Sequence, residues 1–430
     1  MSERRLEVAD VFRSFMTEFL NRWEGRLSLD QKRVLRAVSI CRTRELGGHR
    51  WQCDRCGHER NAYNSCRNRH CPKCQATARA AWLDARAADL LPVPYFHVVF
   101  TLPDALGPLA LQNPRTVYGI LFRAAWQSLR DVAADSKHLG AKIGMIAVLH
   151  TWGQNLMHHP HVHCVVPGGV LSSNEARWIS CRKSRKNKKK FFLPVRVLSR
   201  VFRGKFVELL KQACRQGKLQ FHGRLAPLAD PARFEQLLDT AVANDWVVYC
   251  KRPFGGPRQV LKYLARYTHR VAIANSRLIG LENDRVAFRW KDYARGGRMS
   301  TMRLEACEFI RRFLLHVLPS GFVRIRHFGF LANRKRQSQI DRCRELLGVK
   351  PSENDSDPTA ETPPDESSSC EPSTETGQRC PHCGACEMRI VEVLLPRRYR
   401  ALSGFAAVAN SRAPPINEVT LSTWKTRIIL

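Results

Sequence analysis

The chain has 430 residues, enough for about two or three domains, and 44% of them are hydrophobic, as in a globular protein with a sizeable core. Lysine and arginine number 71 against 38 acids, a formal net charge of +33. Residues 351–378 carry eight acids and no base, so the remaining residues hold +41. This excludes a typical metabolic enzyme as the first interpretation and indicates a polyanionic partner, most often nucleic acid.

Membrane and export segments are not predicted. No run approaches the roughly 18 consecutive apolar residues of a membrane span, and the start, MSERR, leads into charged amphipathic sequence. We therefore expect a cytoplasmic protein with reduced thiols. In that compartment the clusters among its sixteen cysteines indicate metal binding rather than disulfides.

The first ninety residues are predicted to be mainly helical. Apolar spacing indicates helices over 6–23 and 28–41, the second capped by Ser28, and an Ala-rich helix over 75–91. The cysteine-rich run 53–74 is predicted to consist of loops.

Strands alternate with helices from residue 94 onwards. The predicted strands cover 95–102, 143–150, 161–166 and 245–250, and the predicted helices 114–134, 195–216, 231–243 and 257–269. Antiparallel strands mixed with helices indicate an α+β fold. The basic run 182–190 is predicted to be a solvated loop, and 351–378, with five prolines, a disordered acidic linker.

Two cysteine knuckles predict a zinc site. Cys53-x2-Cys56 and Cys71-x2-Cys74 are separated by 14 residues, close to the spacing of four-thiolate zinc sites. With no open coordination position or nearby base in the pattern, this zinc would be structural rather than catalytic.

Other potential ligands and cations surround this site. Cys66 and His70, with Cys41 and His49, could hold a second ion or simply pack. Three nearby bases suit contacts to DNA phosphates. They are Arg67, Arg69 and Lys73.

The C-terminal segment contains half of a zinc ribbon. Cys380-x2-Cys383 forms one knuckle, which Cys386 and His382 could complete, and no second knuckle follows it. A degenerate or partner-completed site and the absence of metal are both open interpretations.

The most informative stretch is HHPHVHCVV, residues 158–166. On a strand, His161 and His163 point to the same side, about 7 Å apart, while Val162 and Val166 face the core. Two imidazoles with one further oxygen or nitrogen donor form a three-point divalent metal site with open positions.

A later segment has helical periodicity and carries two tyrosines. Tyr263 and Tyr267 are four residues apart and so share one helix face. Cations occupy the same turns, namely Lys262, Arg266, His269 and Arg270. Cations lower the pKa of a phenol and neutralise phosphate, and both effects help a tyrosine to attack a phosphodiester.

These motifs together resemble the HUH rolling-circle transposases of bacterial insertion sequences of the ninety-one type. The resemblance rests on NSCRNRHCPKC (64–74), HPHVH (159–163), YLARYTHRVAI (263–273) and RIRHFGFL (324–331), and it covers about residues 10–345.

The resemblance implies a site and a chemistry. His161 and His163 would ligate Mg²⁺ or Mn²⁺. The motif does not fix the third ligand: Gln154, seven residues before His161, is one candidate and His269 the alternative. Tyr263 and Tyr267, or one of them, would form a 5′-phosphotyrosine on single-stranded DNA and leave a free 3′-OH. Such a protein would be nucleoid-associated in the bacterial cytoplasm.

The resemblance and the composition together divide the chain into four segments. We expect a helical zinc-binding domain over 1–92, an HUH strand-transferase domain with an antiparallel sheet flanked by helices over 93–348, the disordered linker over 349–379, and a tail over 380–430. A replication initiator or relaxase with the same chemistry is an alternative, as is a non-enzymatic zinc-finger regulator. No GxxxxGK[ST] loop is present, which argues against an ATP-driven enzyme.

Overall fold

The computed structural model describes residues 5–87, 89–172, 174–181, 193–251, 259, 272–292, 296–349, 379–384 and 388–397. The helices are α1 (Val8–Trp23), α2 (Leu29–Ser39), α3 (Pro72–Ala87), α4 (Gly107–Gln112), α5 (Pro114–Ala134), α6 (Val195–Arg215), α7 (Pro231–Val242), α8 (Ala306–Leu314) and α9 (Arg336–Leu346). The strands are β1 (Gly48–Cys53), β2 (Glu59–Tyr63), β3 (Tyr95–Thr101), β4 (Gly144–Trp152), β5 (His158–Pro167), β6 (Gly169–Leu171), β7 (Trp178–Ser180), β8 (Val248–Lys251), β9 (Leu278–Glu282), β10 (Arg285–Asp292), β11 (Arg298–Glu305), β12 (Ile325–Gly329) and β13 (Met388–Leu394). Within the described ranges, no helix has the length and apolar character needed to cross a membrane.

Tertiary contacts divide the chain into two compact units. The first comprises Met1–Cys41 with Ser65–Ser369, and the second Arg42–Asn64 with Cys370–Leu430. The sequence instead predicts one continuous N-terminal domain over 1–92. Segments far apart in the chain form the second unit, and such long-range pairing leaves no local sequence signal.

A five-stranded antiparallel sheet, as far as the structure describes it, lies at the centre of the first unit in the order β12-β4-β5-β3-β8. Val162, Cys164 and Val166 of β5 are buried in one apolar core with helices α5 and α6. Because side chains alternate along a strand, His161 and His163 lie on the opposite face. The structure therefore confirms the predicted α+β class and the predicted orientation of the strand.

The first two helices share a core with later elements of the same unit. The Ser28 hydroxyl accepts a hydrogen bond from the Gln31 N–H at 3.2 Å, and the Gln31 side chain accepts one from the Ser28 N–H at 2.9 Å. This reciprocal cap confirms the predicted start of α2. Phe12 of α1 meets Phe313 of α8 edge to face at 5.1 Å, in a core that also contains residues of β10.

Most predicted elements agree with the structure to within a few residues. The predicted strands correspond to β3, β4, β5 and β8, and the predicted helices to α5, α6 and α7. The run 53–74, predicted as loops, is corrected: it contains β2 and the start of α3. The helix predicted over 257–269, apart from Gln259, the loop 182–190 and the linker 351–378 lie outside the described residues.

The second unit contains a small antiparallel sheet in the order β13-β1-β2. Among its described residues, the buried hydrophobic cluster consists of Cys53, Cys380 and Met388, with Trp51 and Cys383 packed against it. Three of these five side chains are cysteines, so little hydrocarbon is buried in this unit.

Candidate metal centres

A third histidine from the neighbouring strand joins the histidine pair of β5. His150 on β4 lies opposite His161, and Val148 lies opposite His163. One ligand nitrogen from each of His150, His161 and His163 lies within 4.8 Å of the other two. Three imidazoles this close on one sheet face can ligate one divalent ion and leave further coordination positions open.

Burial keeps His161 and His163 neutral at pH 7. His150 is 2% exposed and His163 is 8% exposed. Removal from water lowers the pKa of His161 to about 4 and the pKa of His163 well below its usual value. A neutral imidazole has the lone pair that a metal ion needs, so at pH 7 these side chains are in the ligand form.

Hydrogen bonds orient the rings of His161 and His163. His161 Nδ1 lies 2.7 Å from the carbonyl oxygen of His159, which makes Nδ1 the donor and leaves the lone pair on Nε2. His163 Nδ1 lies 2.7 Å from Nε2 of His97, and the two rings stack at an interplanar angle of 6°. Metal-binding histidines commonly have such orienting partners.

Sequence reasoning missed His150 and His97, although both lie in strands that it predicted. Each is the same kind of signal as the β5 pair, an imidazole on a hydrophobic strand. Only the register of β4 and β3 against β5 shows that they share a face with His161 and His163.

Of the residues predicted as third ligand or nucleophile, the structure describes only Gln154. Gln154 follows β4, and its backbone carbonyl accepts a hydrogen bond from Arg277 Nη2 at 2.6 Å. The third nitrogen of the group comes from His150 instead. The remaining predicted residues lie outside the described ranges, namely Tyr263, Tyr267, Lys262, Arg266, His269 and Arg270.

The two knuckles predicted to share a zinc ion belong to different cysteine clusters, one in each unit. The first cluster consists of Cys41, Cys66, Cys71 and Cys74, and the second of Cys53, Cys56, Cys380 and Cys383. The four cysteines predicted to share one ion are therefore divided between two clusters. A knuckle fixes two thiolates by local backbone geometry, whereas the tertiary structure selects the second pair.

The first cluster has the dimensions of a tetrahedral thiolate site. Cys74 Sγ lies 3.6 Å from Sγ of both Cys41 and Cys66. Zn–S bonds of about 2.3 Å give tetrahedron edges of about 3.8 Å, whereas a disulfide brings its sulfurs to about 2.05 Å. Hydrogen bonding from the Cys66 thiol lowers the pKa of Cys41, and the contact with Cys41 in turn raises the pKa of Cys66 and of Cys71.

The histidines considered for a second zinc ion lie elsewhere. The 3%-exposed His70 accepts the Leu318 N–H at Nε2 (3.1 Å), and its Nδ1 lies 3.1 Å from Asn68 Oδ1. His49 lies on β1 in the second unit. Cys66 and Cys41 do cluster as considered, but with the Cys71 knuckle.

Two of the three bases predicted to contact DNA are bound within the fold. The Arg69 guanidinium donates to the carbonyl oxygens of Phe322 at 2.6 Å and Pro319 at 2.8 Å. Lys73 Nζ forms a 2.5 Å ion pair with Glu7. Arg67 is exposed and has a left-handed backbone, with φ 50°. Of the three, Arg67 is the side chain best placed for a phosphate.

Two family models match the chain. One, described as "Putative transposase", covers residues 144–339 and includes the whole histidine group. The other, described as "Transposase zinc-binding domain", covers residues 11–102 and includes the first cysteine cluster.

Two similar proteins agree with these matches. "Putative transposase y4qJ" of Sinorhizobium fredii (strain NBRC 101917 / NGR234) is 55% identical over 343 residues, which is 80% of this chain and 84% of that protein. "Transposase for insertion sequence element IS801" of Pseudomonas savastanoi pv. phaseolicola is 30% identical over 329 residues, 75% of this chain and 76% of that protein.

Solved structures show only distant likeness. The conjugative relaxase TrwC in complex with mutant OriT DNA shares 14% identity over 59% of this chain and 73% of that chain, with a TM-score of 0.21. A metal-free structure of TrwC with OriT DNA gives a TM-score of 0.22 at the same identity, over 59% of this chain and 72% of that one.

Proposed function

This chain belongs to the transposases of bacterial insertion sequences of the ninety-one type, and from that premise we propose that it cleaves and rejoins single-stranded DNA through a phosphotyrosine link. The observation that carries the proposal is the group of His150, His161 and His163 on one sheet face. Imidazoles arranged in this way could bind a metal ion that keeps open coordination positions, and such an ion suits an enzyme that must bind a scissile phosphate.

These three histidines would hold the catalytic divalent ion. When bound, such an ion polarises the phosphate and stabilises the charge that develops during displacement. Because all three donors are imidazole nitrogens, the set suits Mn²⁺ better than Mg²⁺, which prefers oxygen ligands. His97 and the His159 carbonyl hold the rings in place and so reduce the reorganisation needed for binding.

Tyr263 and Tyr267 are the proposed nucleophiles. A tyrosine oxygen bonds to the phosphorus, the 3′-oxygen leaves with a proton as a free 3′-OH, and the 5′-phosphate stays on the enzyme. A later 3′-OH attacks that phosphorus and releases the tyrosine, so the DNA is resealed without ATP. The resemblance supports this assignment, as do the cations that accompany the two tyrosines in the sequence, which would neutralise the phosphate.

The first cysteine cluster is proposed as the structural zinc site of the N-terminal region. All four cysteines lie within the residues matched by the zinc-binding model, and their sulfur separations fit tetrahedral zinc. Its ligands come from the end of α2, the loop before α3, and α3 itself. The ion would therefore fix the position of α3 relative to α2.

An adduct assay tests the proposed chemistry. The purified protein is incubated with a labelled single-stranded oligonucleotide from an insertion-sequence end and Mn²⁺, then denatured and separated by size. We expect a covalent protein–DNA product that is lost in Tyr263→Phe/Tyr267→Phe. Each phenylalanine removes one oxygen and retains the ring, so a folded double variant that still forms the adduct contradicts the tyrosine mechanism.

A further inference from the structure

We propose that Cys53, Cys56, Cys380 and Cys383 form a second structural zinc site, and that this zinc is the core of a small ribbon assembled from two distant parts of the chain. The proposal does not rest on the strand-transfer chemistry. Only half of its ligands lie within residues 11–102, which the zinc-binding model matches. The other half follows the predicted linker.

The sulfur positions fit a tetrahedral ion. Cys53 Sγ lies 3.6 Å from Cys383 Sγ, and Cys56 Sγ lies 3.7 Å from Cys380 Sγ. These separations are close to the edge of about 3.8 Å expected between thiolates on one zinc ion, and far above a disulfide bond. Each close pair joins one knuckle to the other, as a shared ion requires.

The two knuckles have the same backbone geometry. Gly57 N–H donates to the Cys53 carbonyl oxygen at 2.9 Å, and Gly384 N–H donates to the Cys380 carbonyl oxygen at 2.9 Å. The glycines have φ values of 71° and 74°, a left-handed conformation that glycine adopts without strain. Both segments read Cys-x2-Cys-Gly. Two equivalent turns therefore present their thiolates to each other.

The described residues of the second unit bury few apolar side chains. Its buried hydrophobic cluster, within the described residues, is Cys53, Cys380 and Met388. Strand β13 has exposed Ile390 and Val393, so the small sheet buries few apolar side chains. Folds with so small a core need an additional cross-link, such as a bound metal ion, and metal binding contributes directly to the free energy of folding.

The consequence is that β13 belongs to this unit only while the ion is bound. Cys56 and Cys380 are separated by more than 300 residues, so their association carries a loop-closure cost that no local contact offsets. Zinc offsets that cost by bonding both knuckles. Tetrahedral sulfur sites also take iron, so the metal content of the purified protein distinguishes the two ions.

Cobalt substitution in the full-length protein tests this site separately from the histidines. Absorption from thiolate-to-Co²⁺ charge transfer reports only sulfur ligands, so the histidine group does not contribute. We expect Cys380→Ser/Cys383→Ser to lose about half of this absorption and one zinc ion per chain by elemental analysis. Cys383→His, which retains a zinc ligand, should keep the ion.

Matched controls are Cys386→Ser, in the same segment, and Cys214→Ser, in α6, and both should keep the wild-type zinc content. If the double serine variant unfolds the second unit, the first cluster should still hold its ion. The proposal is overturned by unchanged zinc in Cys380→Ser/Cys383→Ser, by loss of zinc in Cys386→Ser, or by iron at this site in protein purified from zinc-supplied cells.

Discussion

His150 and His161 face each other across the β4–β5 pair, with ring centroids 5.3 Å apart and planes at 83°. The relationship joins an imidazole at the end of one strand to the histidine pair of the next. It changes a two-histidine motif into a three-nitrogen site, and it provides a direct test of the proposed metal ligands.

Replacing His150 should abolish DNA cleavage while preserving DNA binding. His150→Ala removes one of three proposed ligands, so we expect metal affinity and adduct formation to fall by at least about 100-fold. Loss of a residue that only orients a ligand reduces metal affinity or activity by up to about 100-fold, and loss of a ligand should cost at least as much. Adduct formation and oligonucleotide binding would be measured at several Mn²⁺ concentrations. His222→Ala, at an exposed position, is the control.

The same assay distinguishes His150 from Gln154. If the histidines supply all three ligands, Gln154→Ala should retain near-normal cleavage. Loss of activity in Gln154→Ala with normal activity in His150→Ala would instead restore the glutamine as the ligand. A stronger response to Mn²⁺ than to Mg²⁺ should accompany the all-imidazole set.

The two cysteine clusters should lose zinc independently. Cys41→Ser removes a ligand from the first cluster only, so we expect one zinc ion to be lost and the knuckle of Cys53 to keep its own. Combining Cys41→Ser with Cys53→Ser should remove both ions. Elemental analysis of the purified variants measures this. Loss of both ions on the single Cys41 substitution would show that the clusters depend on each other.

Arg69 and Arg67 should have opposite effects despite their proximity in sequence. Because Arg69→Ala removes two charge-assisted hydrogen bonds to backbone carbonyls, it should lower the free energy of unfolding by about 2 kcal/mol. Exposed Arg67→Ala should leave stability unchanged and reduce the slope of log affinity against log salt by about one. Urea unfolding measures the stability of each variant, and DNA binding at several salt concentrations measures the slope. A stable Arg69→Ala variant with a reduced salt slope, or a destabilised Arg67→Ala variant, would contradict the prediction.

Stability should fall at acidic pH through His316. Burial lowers the pKa of His316 to about 3, and its Nε2 donates to the Leu156 carbonyl oxygen at 3.1 Å. Below about pH 6.5 the unfolded chain binds a proton that the folded protein excludes. This group should therefore cost about 1.4 kcal/mol of stability per pH unit until about pH 3.

Urea unfolding between pH 7.5 and 4.5 provides the measurement. The His316→Gln variant, which keeps a donor and an acceptor but does not titrate, should lose less stability over this range than the wild type. Above about pH 6.5 the two curves should run parallel, because both states are then neutral. Parallel curves at every pH would rule out this histidine as the source.

Local features of the site follow from the sequence alone. Alternation along a strand places His161 and His163 on one face whatever the strand pairs with. Likewise, a Cys-x2-Cys turn brings two thiolates together within four residues, and Ser28 with Gln31 caps α2 through neighbouring backbone groups. Each of these arrangements depends on bonds and contacts within a few positions of the chain, so residue type and spacing are sufficient to predict it.

The partners of those local features were decided by tertiary structure. The register of β4 against β5 brings in His150, and the fold separates Cys53 from Cys71 and joins it to Cys383 instead. The sequence predicts that Arg69 contacts DNA, whereas in the structure its guanidinium donates hydrogen bonds to carbonyl oxygens of the 318–322 segment. Such pairings depend on which segments meet after long loops close, and many pairings satisfy the same local spacing. Only the packing of the whole unit, which buries some faces and leaves others open, selects among them.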